Sequence, residues 1–271
     1  MDAVREAIGT LERVGALPDQ AIDLGETALA LAALDCPGVD YAHYRAHLAD
    51  LARDVGAQDA VPADALRRVL SGAYGYHGDR DSYDDLDNAN LIRVIDRRRG
   101  LPVALSILWL HAARAQGWRA DGLNFPGHFL IRVGEAEDAV AIDPFNDGAV
   151  LDDDALSALW RRVGGRGEAK LSAAHCETVG NRGILLRLQN NIKLRLLQAK
   201  RTEAALAVLE RMVLTAPEEP ALWRECAGLH EGLGNLRAAG SCLERVIALA
   251  GGDAARQSAA AELKAVRLRL N

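Results

Sequence analysis

The stretch from Val103 to Ala115 constrains the fold more than any other part of this 271-residue chain. Val103, Leu105, Ile107, Leu108, Leu110 and Ala112 make a helix that is apolar nearly all round, and such a helix has to be buried. Pro102 suits its first turn, where the missing N–H would have no partner anyway. Gly117 is placed to end it in a left-handed cap. Two segments that alternate as strands follow. In Asn124-Phe125-Pro126-Gly127-His128-Phe129-Leu130-Ile131-Arg132-Val133, the residues Phe129, Ile131 and Val133 share one face, and His128, Leu130 and Arg132 the other. Ala141-Ile142-Asp143-Pro144-Phe145 is the second segment.

A buried helix followed by one strand offering His and another ending in Asp is a geometry of cysteine catalysis. In papain-like and transglutaminase-like enzymes a Cys near the helix N-terminus is the nucleophile, its pKa lowered by the dipole and a neighbouring His. An Asp or Asn orients the imidazole. The motifs Arg98-Arg99-Gly100-Leu101-Pro102, Phe125-Pro126-Gly127-His128-Phe129 and Ile142-Asp143-Pro144-Phe145 resemble the transglutaminase-like superfamily, and within it the SirB-type family of transglutaminase-like/TPR proteins. The resemblance puts His128 on the family's His and Asp143 on its Asp. It implies an α+β fold: a papain/transglutaminase-like domain with a small antiparallel sheet and helices. Where Cys-containing relatives read Gly-Asn-Cys, this chain reads Gly100-Leu101-Pro102, so the nucleophile position holds no nucleophilic group. Ser106 lies one turn deeper on the same face, but a hydroxyl inside an apolar helix is expected to bond back to the preceding turn. His128 is then either a general base acting on water or a buried His held by Asp143.

Composition narrows the function classes. A net charge of −6 argues against nucleic acid as a partner. No apolar run reaches the roughly 18 residues of a membrane span, and Met1-Asp2-Ala3-Val4-Arg5-Glu6 lacks the plan of a signal peptide. Cys36, Cys176, Cys226 and Cys242 show no paired C-x-x-C spacing, so buried thiols in a reduced, cytoplasmic protein are expected, with no metal and no cofactor. His43 and His47 share a helix face at zinc-like spacing, without a third ligand in the motif.

Residues 1 to about 75 read as helices, over Asp19–Leu34, Tyr41–Gly56 and Pro62–Leu70. Glu26 interrupts the first apolar stripe and needs a partner, for which an Arg of the central stretch is a candidate. Tyr74 to Asn90 reads as a loop. His77, Tyr83, Asp84, Asp85 and Asp87 raise a cation site there, but the register does not fit an EF-hand and a solvated acidic loop is expected. Asn90 caps a short helix. Asn90, Arg98 and Arg99 are the candidate binding residues, since the forked donors of Arg suit an anion or carboxylate clamp. Gly134 to Asp138 is a hairpin tip, and Gly164-Gly165-Arg166-Gly167 opens a linker.

From Asn181 the sequence repeats itself. Ala204-Ala205, Leu209-Glu210-Arg211 and Pro217 return 34 positions later as Ala238-Ala239, Leu243-Glu244-Arg245 and Gly251. That period is the tetratricopeptide repeat length. Trp223, Ala227, Ala239 and Leu243 occupy signature positions in the second copy, whereas Lys193 stands where the first should have a small residue. Arg256 to Leu270 would be the capping helix.

The expectation is a transglutaminase-like domain over 1–175 and an all-α repeat domain over 181–271, with two repeats and a cap. Its expected function is non-catalytic, a pseudoenzyme acting through protein partners that remain to be identified. An atypical hydrolase or acyl-transfer enzyme using His128 and Asp143 is the alternative. A peptide or small ligand held in the cleft is a third reading.

Overall fold

The computed structural model describes residues 2–135, 138–163 and 171–270. Gly164-Gly165-Arg166-Gly167 lies outside the described residues, as does part of the 134–138 hairpin tip. The chain divides into two compact units, Met1–Thr10 with Leu17–Leu188, and Leu11–Ala16 with Gln189–Asn271.

The first unit contains α2 (Leu24–Ala33), α3 (Tyr41–Gly56) and α4 (Pro62–Leu66), after the opening helix α1 (Asp2–Ala16), whose residues the two units share. The helix expected over Asp19–Leu34 starts only at Leu24. Asp23 caps it there by accepting from the Glu26 N–H at 2.9 Å, and the residues before it form a single 3-10 turn. The third expected helix splits, since α4 widens into π-helical turns over Arg67–Ala73.

The loop that follows carries a two-residue strand, β1 (His77–Gly78). It pairs in parallel with β2 (Arg99–Gly100), which comes just after α5 (Leu91–Arg97). Next is α6 (Pro102–Ala115), the apolar helix. Its Leu105, Ile107, Leu108, Trp109 and Leu110 are fully buried, and Gly117 closes it at φ +74°, the left-handed conformation glycine accepts without a Cβ clash.

Five strands make the main sheet: β3 (Ala120–Leu123), β4 (Leu130–Val133), β5 (Val140–Asp143), β6 (Ala149–Leu151) and β7 (Thr178–Val179). Their antiparallel order is β6-β5-β4-β3-β7. β3 and β4 pack on α6, against which α2, α3, α4 and α5 also pack, so the central helix is covered by sheet on one side and helices on the other. The second sheet face is covered as well. There Leu123, Phe125 and Leu130 meet Leu159 and Trp160 of α7 (Asp153–Val163). Leu130 and Ile131 are therefore both buried although they point to opposite faces.

The long helix α8 (Asn181–Gln198) contains the boundary between the two units. The second unit continues with α9 (Thr202–Thr215), α10 (Pro220–Gly232), α11 (Leu236–Leu249) and α12 (Asp253–Leu268), each packing on the next. Ala205 and Ala239 are fully buried, as the close helix approach of such repeats requires, and Trp223 Nε1 donates to the Pro217 carbonyl at 2.8 Å. Lys193, the misfit of the first repeat, is buried and donates from Nζ to Glu225 at 2.5 Å. In α12 the buried residues Ala259, Leu263 and Val266 form one stripe, and most of the rest faces solvent.

Candidate functional site

His128 sits just before β4, at the end of a tight turn in which its N–H donates to the Phe125 carbonyl. Asp143 ends β5, one strand over, and starts the 3-10 turn Pro144–Asn146. The structure brings the two together: His128 Nε2 lies 2.9 Å from both carboxylate oxygens. That leaves Nδ1 as the ring nitrogen the pair does not use. Asp143 also accepts from the N–H of Phe145 at 3.0 Å, the N–H of Asn146 at 3.3 Å and the Asn146 amide at 2.5 Å. Burial works to raise its pKa, but the hydrogen bond and charge of His128, with the Asn146 donors, outweigh it and hold the carboxyl below its usual range. His128 is only 8% exposed and Asp143 1%. The ring of Phe145 stands edge-on to that of His128, 5.9 Å between centroids.

Sequence reasoning missed Arg187. This residue of α8 donates to the carbonyls of His128 at 2.6 Å and Phe125 at 3.3 Å and to the Asn124 side chain at 2.5 Å. Its guanidinium lies 5.2 Å from the centre of the Phe129 ring, and burial lowers its pKa. It fastens the His128 turn from a position about 60 residues away, and nothing local in the sequence announces it.

At the nucleophile position Pro102 is buried at the first turn of α6. The Ser106 hydroxyl is fully buried and, contrary to expectation, finds no hydrogen-bond partner in the preceding turn or elsewhere among the described residues. Phe145 closes the neighbourhood, because it packs against Gly78, the strand partner of Gly100; a Cβ at Gly78 would stand 2.5 Å from that ring. Neither cysteine of this unit is activated. Burial raises the pKa of the Cys36 thiol, which sits against the Asn90 side chain, and burial likewise raises that of Cys176.

The arginines before α6 are engaged by this chain's own groups. Arg97 reaches buried Asp79 at 3.2 Å, with Asp85 and Asp87 at 3.3 and 3.6 Å, and Arg99 lies 3.5 Å from Asp79. Asp79 further accepts from the Ser82 N–H and hydroxyl at 2.8 and 2.7 Å. Much of the acidic loop is thus ion-paired. Arg98 adopts the left-handed conformation at φ +58° and donates to the Tyr76 hydroxyl at 2.6 Å and to His47 Nε2 at 2.8 Å. Because Arg can only donate, Nε2 of His47 is an acceptor and the ring is neutral. Burial, and then the Arg98 charge, lower the His47 pKa to about 4. Asn90 caps α5 by accepting from the Arg93 N–H at 3.2 Å and donates to the Ala32 carbonyl at 3.1 Å. Glu26 finds its arginine in α3 rather than in the central stretch: Arg45 Nε donates to its carboxylate at 2.8 Å.

A cavity of about 750 Å³ opens at the other end of α6, lined among others by Asp19, Asp23, His111, Arg114, Trp118 and Asp121. None of the His128 site residues lines it.

Residues 42–190 match the family model described as transglutaminase-like superfamily, and residues 192–271 match that of the tetratricopeptide repeat. The chain is similar to a UPF0162 protein of Xylella fastidiosa, 29% identical over 239 residues and 85% of each chain. It is 32% identical over 208 residues to a UPF0162 protein of Vibrio cholerae, covering 74% of this chain and 76% of the other. Human F-box only protein 21 is 34% identical over 83 residues, 31% of this chain and 13% of its own.

Proposed function

The chain belongs to the transglutaminase-like superfamily and, within it, to the UPF0162 family; from that premise we propose that its first unit is non-catalytic and that the protein works by binding other proteins. The observation that carries this reading is Pro102. Acyl transfer in the superfamily needs a thiolate at the start of the central helix, and a prolyl ring supplies neither a nucleophile nor a proton. The unactivated thiols of Cys36 and Cys176 support the same conclusion, because only a thiolate attacks. So does the enclosure of His128, whose exposed 8% leaves little room for an acyl substrate. In this reading the His128–Asp143 pair holds two strand ends together, and the boundaries of the working parts are 1–175 and 181–271. The repeat helices of the second unit are the docking surface for a protein partner in the cytoplasm. No helix among the described residues is long and apolar enough to cross a membrane, and the net charge of −6 disfavours nucleic acid.

The intact His–Asp pair favours one other reading, a hydrolase in which His128 activates water. Incubation with amine-donor and peptide-ester substrates, with and without a thiol-alkylating reagent, separates the two. The non-catalytic reading expects no turnover in either arm. Turnover abolished by alkylation would sink it, and turnover that survives alkylation but disappears in His128→Ala would establish the hydrolase.

A further inference from the structure

The second unit holds a cluster that neither the family resemblance nor the site above uses. Cys226 and His230 lie one turn apart on the same face of α10, and Cys242 meets them from α11. One ligand atom from each, two thiols and an imidazole nitrogen, all fall within 4.8 Å of one another. Among the described residues, no other set of three His, Cys, Asp or Glu groups converges in this way. The three residues are 2%, 9% and 6% exposed for Cys226, His230 and Cys242. His230 Nδ1 is buried and has no hydrogen-bond partner among the described residues, an unusual state for a group that binds water well. Its other nitrogen, Nε2, faces the Glu210 carboxylate of α9 at 3.5 Å.

We propose that Cys226, His230 and Cys242 form a zinc site that clips α10 to α11. Two thiolates and an imidazole are a zinc donor set, and three protein ligands leave a fourth position to solvent. Zn–S bonds of about 2.3 Å and Zn–N bonds of about 2.0 Å set ligand atoms roughly 3.5–3.8 Å apart in a tetrahedron. The observed spread of 4.8 Å needs only about an ångström of closure. Glu210 completes the arrangement. A ligating His commonly donates its second N–H to a carboxylate, which fixes the ring and raises its basicity. His230 has its Nε2 toward such a carboxylate and the unpartnered Nδ1 left for the metal. Binding displaces the two thiol protons to solvent and forms two Zn–S bonds and one Zn–N bond, with no change of oxidation state. A repeat stack normally wants at least three units, and this one has two and a cap, so a metal clip between the helices of the second repeat would supply stability that stacking alone does not.

Reduced full-length chain, stripped of metal with a chelator, is dialysed against excess zinc, gel-filtered and its metal counted; cobalt(II) titration then reports the ligand set. The expectation is one zinc per chain, a cobalt–thiolate charge-transfer band, and an unfolding midpoint raised by about 5 °C or more with zinc. Cys226→Ser and Cys242→Ser should lose the band, Cys36→Ser and Cys176→Ser should keep it, and Glu210→Gln should weaken binding about tenfold. No retained ion in the wild-type chain, or a band that survives in Cys226→Ser and Cys242→Ser, overturns the proposal. If those two variants do not fold, the wild-type metal count and the Glu210→Gln affinity decide it alone.

Discussion

The two reactive clusters of this protein are opposites. In the first unit His128 and Asp143 carry the look of a catalytic pair, yet the carboxylate is filled: an imidazole N–H, two backbone N–H groups and an amide all point at it. In the second unit Cys226, His230 and Cys242 lie in no motif, yet their donor atoms face one another and one ring nitrogen has no partner. A motif therefore marks residues by type, whereas capacity for a ligand depends on which lone pairs and protons the fold leaves over. On the reading proposed above, the saturated cluster acts as structure, and the unsaturated one has chemistry to offer.

That contrast can be broken most directly at Asp143. Asp143→Ala would strand the buried His128 ring and three further donors, and should cost about 2–4 kcal/mol in a urea melt. His128→Ala leaves a carboxylate that still has Asn146 and backbone donors, and should cost less, about 1–3 kcal/mol. Cys226→Ser in zinc-free protein should cost less again, since no filled network is lost there. If Asp143→Ala melted like the wild type, the pair would not be a structural one, and the water-activating reading would gain.

Legibility in the sequence follows the range of the interactions. The all-round apolar helix, its Pro102 start and its Gly117 stop are local properties, and they read off directly. So do the Asn90 cap, the 34-residue repeat and the strands β4 and β5. The edge strands β6 and β7 are only three and two residues long and have no period to detect. The break before Leu24 turned on a single capping aspartate inside an otherwise helical pattern. At the site, His128 and Asp143 were found through the resemblance, whose motifs are contiguous. Arg187 was not, because its contacts to the His128 turn cross about 60 residues. Arg98 and Arg99 read as a ligand clamp because a sequence cannot show that Asp79 folds back onto Arg97 and Arg99, or that Tyr76 and His47 take up Arg98. The Cys–His–Cys cluster arises from helix stacking, for which the spacing of 16 between its cysteines is no signal.

A third cluster in the first unit, His47 with Tyr76 and Arg98, extends the comparison to pH. Folded His47 stays neutral down to about pH 4, whereas an unfolded chain takes up the proton near 6.5. Between those values the unfolded chain binds more protons, so stability falls as pH drops through the window. Discounted for its partial exposure, the effect is about 1–2 kcal/mol. Thermal melts between pH 7 and pH 4.5 should show it, and His47→Gln should flatten that part of the curve. A profile equally steep in the variant would assign the loss to other groups. Asp143 adds its own slope only lower down: its depressed pKa gives stability that is present above the ordinary carboxyl range and lost as pH falls below it.

The smallest effect tests whether every unsatisfied group is a ligand in waiting. Ser106 is the first unit's counterpart of His230, a buried polar atom without a partner. The difference is in what surrounds it. His230 faces two thiols, whereas Ser106 sits on a helix whose neighbours are almost all apolar, one turn below a proline that offers nothing. Removing an unsatisfied hydroxyl from such a place relieves a desolvation cost and opens a void no larger than an oxygen atom. Ser106→Ala should therefore be neutral or stabilising by up to about 1 kcal/mol, with no change in any substrate turnover. A loss of more than about 1 kcal/mol would mean that the hydroxyl has an ordered water or other partner inside the helix packing. Loss of a hydrolytic activity in this variant would instead name Ser106 as the nucleophile that Pro102 is not.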